Sequence, residues 1–167
     1  MLVVKKSRIK GAGMGLFTTS RIRKGDLIVE YKGVKSTWDK AMKKYKDVKE
    51  AKYIFHISDK NTIDAQFTPE ELARYANDAE APIGKPRFKN NSEYRIVKGK
   101  PYIVANKNIG AGAEIFVDYS GDYWEVMLEE EEDTKKEKAA KEKKTADKKQ
   151  AKGKRQVKKK KQAKGRK

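Results

Sequence analysis

A chain of 167 residues has room for one domain of ordinary size plus an appendage, and little for two. It holds 42 Lys+Arg against 24 Asp+Glu, a formal charge of +18, with only 37% hydrophobic residues; such an excess suggests an acidic partner once its location is known. The absence of cysteine and the single histidine, His56, exclude disulfide scaffolds, thiol nucleophiles, thiolate zinc sites and histidine-rich metal sites, so no zinc is expected.

The charge divides sharply. Residues 1–133 contain 24 basic and 21 acidic side chains, net +3, whereas residues 134–167 contain 18 and 3, net +15. No apolar run approaches the roughly 18 residues of a membrane span, and MLVVKKSRIKG lacks the apolar core of a signal peptide. A soluble, intracellular protein without a membrane partner is expected.

In chain order, residues 2–4 (LVV) and 27–31 (LIVEY) read as strands, being short, β-branched and bounded by basic residues or glycine. A helix is predicted from Ser36, a candidate N-cap, through Trp38, Ala41, Met42, Tyr45 and Val48, whose spacing is three to four. The segment YIFHI (53–57) reads as a strand. Thr68-Pro69-Glu70-Glu71 has the form of a capping box with proline at the first helical position, and predicts a helix through Leu72, Ala73, Tyr75 and Ala76. Residues 78–91 (DAEAPIGKPRFKNN) form a long connection without periodicity, a length often associated with function. Strands return at PYIVA (101–105) and EIFVDY (114–119). Beyond Glu129 the sequence is acidic and then lysine-rich, with Val157 its only sizeable apolar residue; it cannot offset the entropy of folding by burial and is expected to be largely disordered. The i,i+4 pairs Glu131–Lys135 and Glu132–Lys136 allow its first turns to extend a helix.

Three clusters carry chemistry. Gly11, Gly13 and Gly15 in GAGMG permit left-handed backbone and close approach of a ligand to main-chain amides, although a ligand-free glycine hairpin has the same composition. A dinucleotide fingerprint would need glycine where Leu16 stands, followed by a helix, and a phosphate loop would need Gly-Lys-Ser/Thr. LARYAND (72–78) is a helix end that by itself reads first as a C-terminal cap. EIFVDYSGDYW (114–124) sets Tyr119, Tyr123 and Trp124 beside Asp118 and Asp122, the material of a core or of a narrow aromatic channel.

The order of these segments, SRIKGAGMGLF, RKGDLIVEYKG, YIFHI with TIDA, ARYAND, and YIVANKNIGAGAEIFVDY, resembles the SET-domain protein-lysine methyltransferases over roughly residues 2–124. The resemblance implies a mainly β, β-rich α+β fold of several small sheets with short helices and a C-terminal strand region threaded beneath a loop. It also implies a catalytic domain over residues 1–128, followed by a tail over 129–167. By the same resemblance Gly13, Met14 and Gly15 offer main-chain groups to S-adenosylmethionine, and Asn77 and Asp78 stand where the family has an Asn-His pair on the cofactor. Trp124 joins them. Tyr119 matches the catalytic tyrosine, Tyr123 the position that sets the number of methyl groups, biased here towards one or two, and Tyr53 and Phe116 the lysine channel. Asp78 in place of histidine departs from the family pattern, as does the loss of Ser-Cys-x-Pro-Asn, although Asn91-Ser92 stand where the family has Asn-Cys. With no cysteine for a zinc-bound closing segment, Tyr123, Trp124 and the residues after them, or a dimer partner, must close the channel.

The chemistry follows from the reactants. Methyl transfer from a sulfonium to lysine needs the neutral amine, and neutralising a free lysine of pKa near ~10.4 at pH 7 costs about 4.6 kcal/mol. An apolar aromatic channel lowers that cost by desolvation and the sulfonium lowers it by like-charge repulsion, so no dedicated base is required. His56 accordingly reads as a partly buried strand residue.

The expected activity is methylation of a lysine on a histone or other basic chromatin-associated protein, nuclear in a eukaryote and nucleic-acid associated elsewhere. A catalytically silent SET-like module that binds chromatin through its tail is the alternative, and a simple basic nucleic-acid-binding protein a third reading. The tail over 134–167 suits nucleic acid bound by counterion release, a nuclear address in KGKRQVKKKK, or a methylation substrate in cis through its 16 lysines. The acidic EEEED run reads as a solvated helix end, or as a recruiter of basic substrates. Truncation after Asp133 is expected to retain S-adenosylmethionine binding, measured by calorimetry, and to weaken DNA binding in a salt titration; loss of the cofactor as well would overturn the domain boundary.

Overall fold

Among the described residues nine short strands make three small antiparallel sheets. The computed structural model describes residues 1–82 and 87–128. The predicted lysine-rich tail, its helical first turns and the acidic run from Glu129 lie outside those residues. The chain divides into two compact units, Met1–Ser120 and the part from Gly121 onward, in which residues 121–128 form a helix.

In the first unit, β1 (Leu2–Lys6), β2 (Met14–Thr18) and β9 (Glu114–Ile115) form one sheet in that order. A second orders β3 (Leu27–Glu30), β8 (Lys100–Ala105) and β7 (Ser92–Val97), and a third orders β4 (Val34–Ser36), β6 (Asn61–Asp64) and β5 (Ile54–Ser58). All pairings are antiparallel. Leu16 of β2, Ile63 of β6 and Ile103 and Ala105 of β8 meet Tyr31, Ala73, Ala76, Ile109, Ile115 and Val117 in one buried cluster. Each middle strand is flanked on both sides and is mostly buried, while edge strands such as β4 and β7 stay polar or mixed. The outcome is the mainly β architecture with few short helices that the sequence predicts.

Both predicted helices are shorter than their patterns. Ser36 is still paired with Thr62 in β4, so the cap passes to Thr37, whose hydroxyl accepts from Lys40 N at 3.4 Å, and α1 spans only Trp38–Met42. The chain then turns so that Lys44 and Tyr45 reach the buried Asp64, and Val48–Glu50 form a separate 3-10 turn. The capping box does not form. Thr68 Oγ1 is buried without a hydrogen-bond partner, and a single 3-10 turn, Leu72–Tyr75, follows Glu71 with no side-chain cap. Tyr75 Oη donates to the Pro69 carbonyl at 2.9 Å, and Ala76 is already extended, leading into the bridge between Asn77 and Phe116.

The EIFVDY strand is also shorter than predicted, ending as a ladder at Ile115. Beyond it Phe116 bridges Asn77 and Val117 bridges Ser92, both in parallel sense. Residues 116–117 thus pass between two other segments. Phe116 O accepts from Asn91 N at 3.1 Å and Ser92 N at 2.9 Å, while Val117 N donates to Asn77 O at 3.0 Å.

Asp64, fully buried, fixes the third sheet to the residues after α1: it accepts from Lys44 Nζ at 3.2 Å, Tyr45 Oη at 2.8 Å and Gln66 N at 3.0 Å. Burial and the adjacent carboxylate hold the Tyr45 phenol well above its ordinary value of 10.0. A raised phenol keeps its proton in the folded chain at pH values where the unfolded chain has begun to lose it. Its stabilisation is therefore complete below about pH 10 and declines as pH rises beyond it. Urea denaturation at about pH 8 and about pH 11 is expected to show the wild type losing more stability over that interval than Tyr45→Phe; equal losses would contradict the sign.

Candidate active site

The glycine loop lies between β1 and β2, closed by Ser7 N donating to Gly13 O at 2.9 Å. Gly11 and Gly13 have φ of 91° and 74°, a region that disfavours side chains, and a Cβ on either would meet nothing within 4 Å. This is exposed main chain with open space beside it; Met14 is 47% exposed. Gly15 has another reason to be glycine: a Cβ there would stand 2.1 Å from Glu114 Oε1.

Glu114 is the residue that sequence reasoning missed. At the start of β9 and 1% exposed, its carboxylate accepts from Ser7 Oγ at 2.7 Å, Arg8 N at 2.8 Å and Asn77 Nδ2 at 3.4 Å. It ties Ser7 and Arg8, at the start of the loop, to the segment that carries Asn77. A lone acid opening an otherwise apolar strand was the available signal.

Asn77 Nδ2 also donates to Met14 O at 2.9 Å, and the Asn77 carbonyl receives Val117 N. The glycine loop and Asn77, far apart in sequence, are thus in direct contact. Asp78 is buried and used within the protein. Its Oδ1 accepts from Asn90 Nδ2 at 2.8 Å and Glu80 N at 2.9 Å, and its Oδ2 from Tyr119 N at 3.2 Å. The side chain expected on the cofactor therefore holds the Tyr119 backbone and the start of the 78–91 connection.

Tyr119 is half-buried, and its hydroxyl donates to Ala76 O at 2.8 Å. Tyr53, also half-buried, has its carbonyl held by Tyr31 Oη and Ala65 N, each at 3.0 Å, while the Arg74 guanidinium lies 3.9 Å from its ring centre. Both tyrosines pack against the same buried cluster. Residues 74–78 touch every part: Arg74 on Tyr53, Ala76 and Asp78 on Tyr119, and Asn77 on the glycine loop.

Phe116 is buried and stacks on Phe88 at 5.5 Å, with its amide on Asn91 Oδ1 at 2.9 Å. It supports the 77 and 91–92 segments, and its ring does not join Tyr53. Asn91 Nδ2 completes the bracket on Glu114 O at 2.8 Å. Tyr123 and Trp124 stand in the helix of the second unit, their rings edge to face at 5.1 Å. His56 is more exposed than its sequence context suggests, edge-on to Trp38 at 5.0 Å in the third sheet.

This combination of small sheets, an exposed glycine loop gripped by an asparagine, and a tyrosine at the end of a strand held between two segments defines a SET domain. The SET domain family model matches residues 13–120, and the chain belongs to that family. Over 132 residues it is 27% identical to the histone-lysine N-methyltransferase EZH2 of Chaetomium thermophilum, covering 73% of this chain and 8% of that protein. Two solved structures are similar. One is ctPRC2 in an autoinhibited conformation bound to S-adenosylmethionine, with TM-score 0.58 and 26% identity over 72% of this chain and 15% of that one. The other is ctPRC2 in complex with H3K27me3 and H3K27M, with TM-score 0.60 and 25% identity over 73% of this chain and 15% of that one. The chain spans a small fraction of these relatives' length.

Gly15→Ala forces Glu114 from its three donors and is expected to destabilise the protein by about 1–3 kcal/mol and to weaken S-adenosylmethionine binding at least about tenfold. Gly110→Ala, where an added Cβ meets nothing within 4 Å, is the control. Chemical denaturation and calorimetry of both variants check this.

Proposed function

We propose that the protein is an S-adenosylmethionine-dependent protein-lysine methyltransferase whose substrate is a basic, lysine-containing segment of a histone or other chromatin-associated protein. The observation that carries this reading is the junction at residues 76–78, where the hydroxyl and amide of Tyr119 are fixed within one residue of the Asn77 side chain that grips Met14 O. The relatives named for histone-lysine methylation and for S-adenosylmethionine support it.

The glycine loop fits such a cofactor, because its main chain is exposed and open where a Cβ would find no neighbour. Gly13, Met14, Gly15 and Asn77 would hold it, with Asp78 acting through its neighbours. S-adenosylmethionine, when bound, supplies a methyl group whose bond to sulfur breaks towards sulfur as the amine lone pair forms the new N–C bond. Tyr119 has its hydroxyl hydrogen directed at Ala76 O, so towards a substrate its oxygen acts as an acceptor that orients the amine. Tyr53 lines the approach of the lysine. Family correspondence, rather than placement, assigns Tyr123 to the control of methyl number and Trp124 to the cofactor, and Phe116 supports the channel from the core. Residues 134–167, net +15, associate with nucleic acid and keep the enzyme near its substrates.

The test is methyl incorporation from labelled S-adenosylmethionine into core histones. Wild-type protein is expected to transfer label, and Tyr119→Phe to lose about a hundredfold or more of the rate. Cofactor binding without transfer to any protein would instead identify a silent module that works through its tail.

A further inference from the structure

Among the described residues Arg74 is an arginine without a counter-ion. Its guanidinium rests on the ring of Tyr53 at 3.9 Å and against Tyr75 at 5.4 Å, and Nη1 donates to the Gln66 carbonyl at 3.2 Å. Among the described residues no carboxylate lies within ion-pair distance of it, and its Nε is buried with no acceptor. A half-buried, unneutralised cation is costly, and two aromatic faces offset only part of the cost. Glu70 and Glu71 precede it closely in sequence without pairing to it, and the Asp64 carboxylate is taken by Lys44, Tyr45 and Gln66 N.

The position of that charge matters because the ring it covers is the one read as lining the lysine channel. A cation on one face of a tyrosine occupies the ring's negative quadrupole and makes the other face a poorer seat for a second cation. A fixed positive charge nearby also disfavours an ammonium relative to a neutral amine. A carboxylate paired to Arg74 would cancel both effects.

We propose that Arg74 is a positioning residue for the transfer step: its guanidinium fixes the Tyr53 ring and, left unneutralised, favours the neutral form of the lysine amine entering against that ring. The inference deepens the methyltransferase reading and rests on Tyr53 lying at the channel. The proton released by the entering ammonium passes to solvent, so the step requires no dedicated base.

The test compares wild type, Arg74→Met and Arg74→Lys. A histone H3 tail peptide carrying one 13C-monomethyl-lysine is bound with S-adenosylhomocysteine, and its methyl resonance is titrated with pH; the pH profile of kcat/KM on core histones is measured in parallel. Arg74→Met is expected to raise the pKa of the bound amine by about one unit and to move the acidic limb of the profile upward equally, whereas Arg74→Lys leaves both near wild type. A uniform loss of rate with unmoved titrations in Arg74→Met overturns the electrostatic role and leaves ring support alone, and equal shifts in both variants overturn it too. Should Arg74→Met fail to fold, Arg74→Gln is judged by the same two titrations. Tyr53→Leu separates the two levels: unchanged KM and product distribution there would remove Tyr53 from the channel, and absence of transfer by wild type would remove the methyltransferase reading itself.

Discussion

Phe116 and Val117 hold the site together through their main chain. The carbonyl of Phe116 receives two amides from residues 91–92, its amide reaches Asn91 Oδ1, and the amide of Val117 reaches Asn77. Buried backbone groups must be paired, and here the partners come from two segments remote in sequence rather than from a neighbouring strand. Once residues 116–117 are fixed between them, Tyr119 emerges beside Ala76 and Asp78, and Asn77 faces the glycine loop. The contacts of Tyr119 with residues 76–78, and of Asn77 with the glycine loop, are arranged beside that crossing.

Two buried carboxylates do the joining elsewhere, and they act on different parts. Glu114 binds the approach to the glycine loop and Asn77 into one unit. Asp64 ties the third sheet to the residues after α1. Each accepts three hydrogen bonds, so removal of a partner leaves a buried acceptor or donor unmatched, an error costlier than the bond is favourable. Asp78 follows the same logic at Tyr119. An aspartate in the family's histidine position is thus compatible with an ordered site, because its two oxygens brace Tyr119 N and Asn90 from one buried point.

Much of the candidate site was legible in the chain. The glycine loop, Asn77, Tyr53 and Tyr119 were each marked by local chemistry or by motif order, and residues 74–78 do connect them. Less legible were the elements whose pattern competes with tertiary demands. Thr68-Pro69-Glu70-Glu71 has every local feature of a helix start, yet the turn ends after Tyr75 because Asn77 has to be extended to meet Phe116. Edge strands such as β4 and β7 carry charged residues among short apolar ones and give no clear period. Glu114 was harder to read for a related reason: an acid opening a mostly apolar strand is a local signal, but that its three donors arrive from residues 7, 8 and 77 is not visible in line.

The sequence by itself determined the β-rich class, the segregation of charge into residues 134–167 and the family, because composition, short-range pattern and motif order are properties of the chain taken in line. Only the tertiary structure decided which polar groups are buried and with whom they pair. It set Arg74 on Tyr53 with no carboxylate among the described residues, turned Asp78 inward to Tyr119, and put the Phe116 ring in the core. Those outcomes depend on contacts between residues tens of positions apart, whose energies arise only when the loop closures that bring them together have been made.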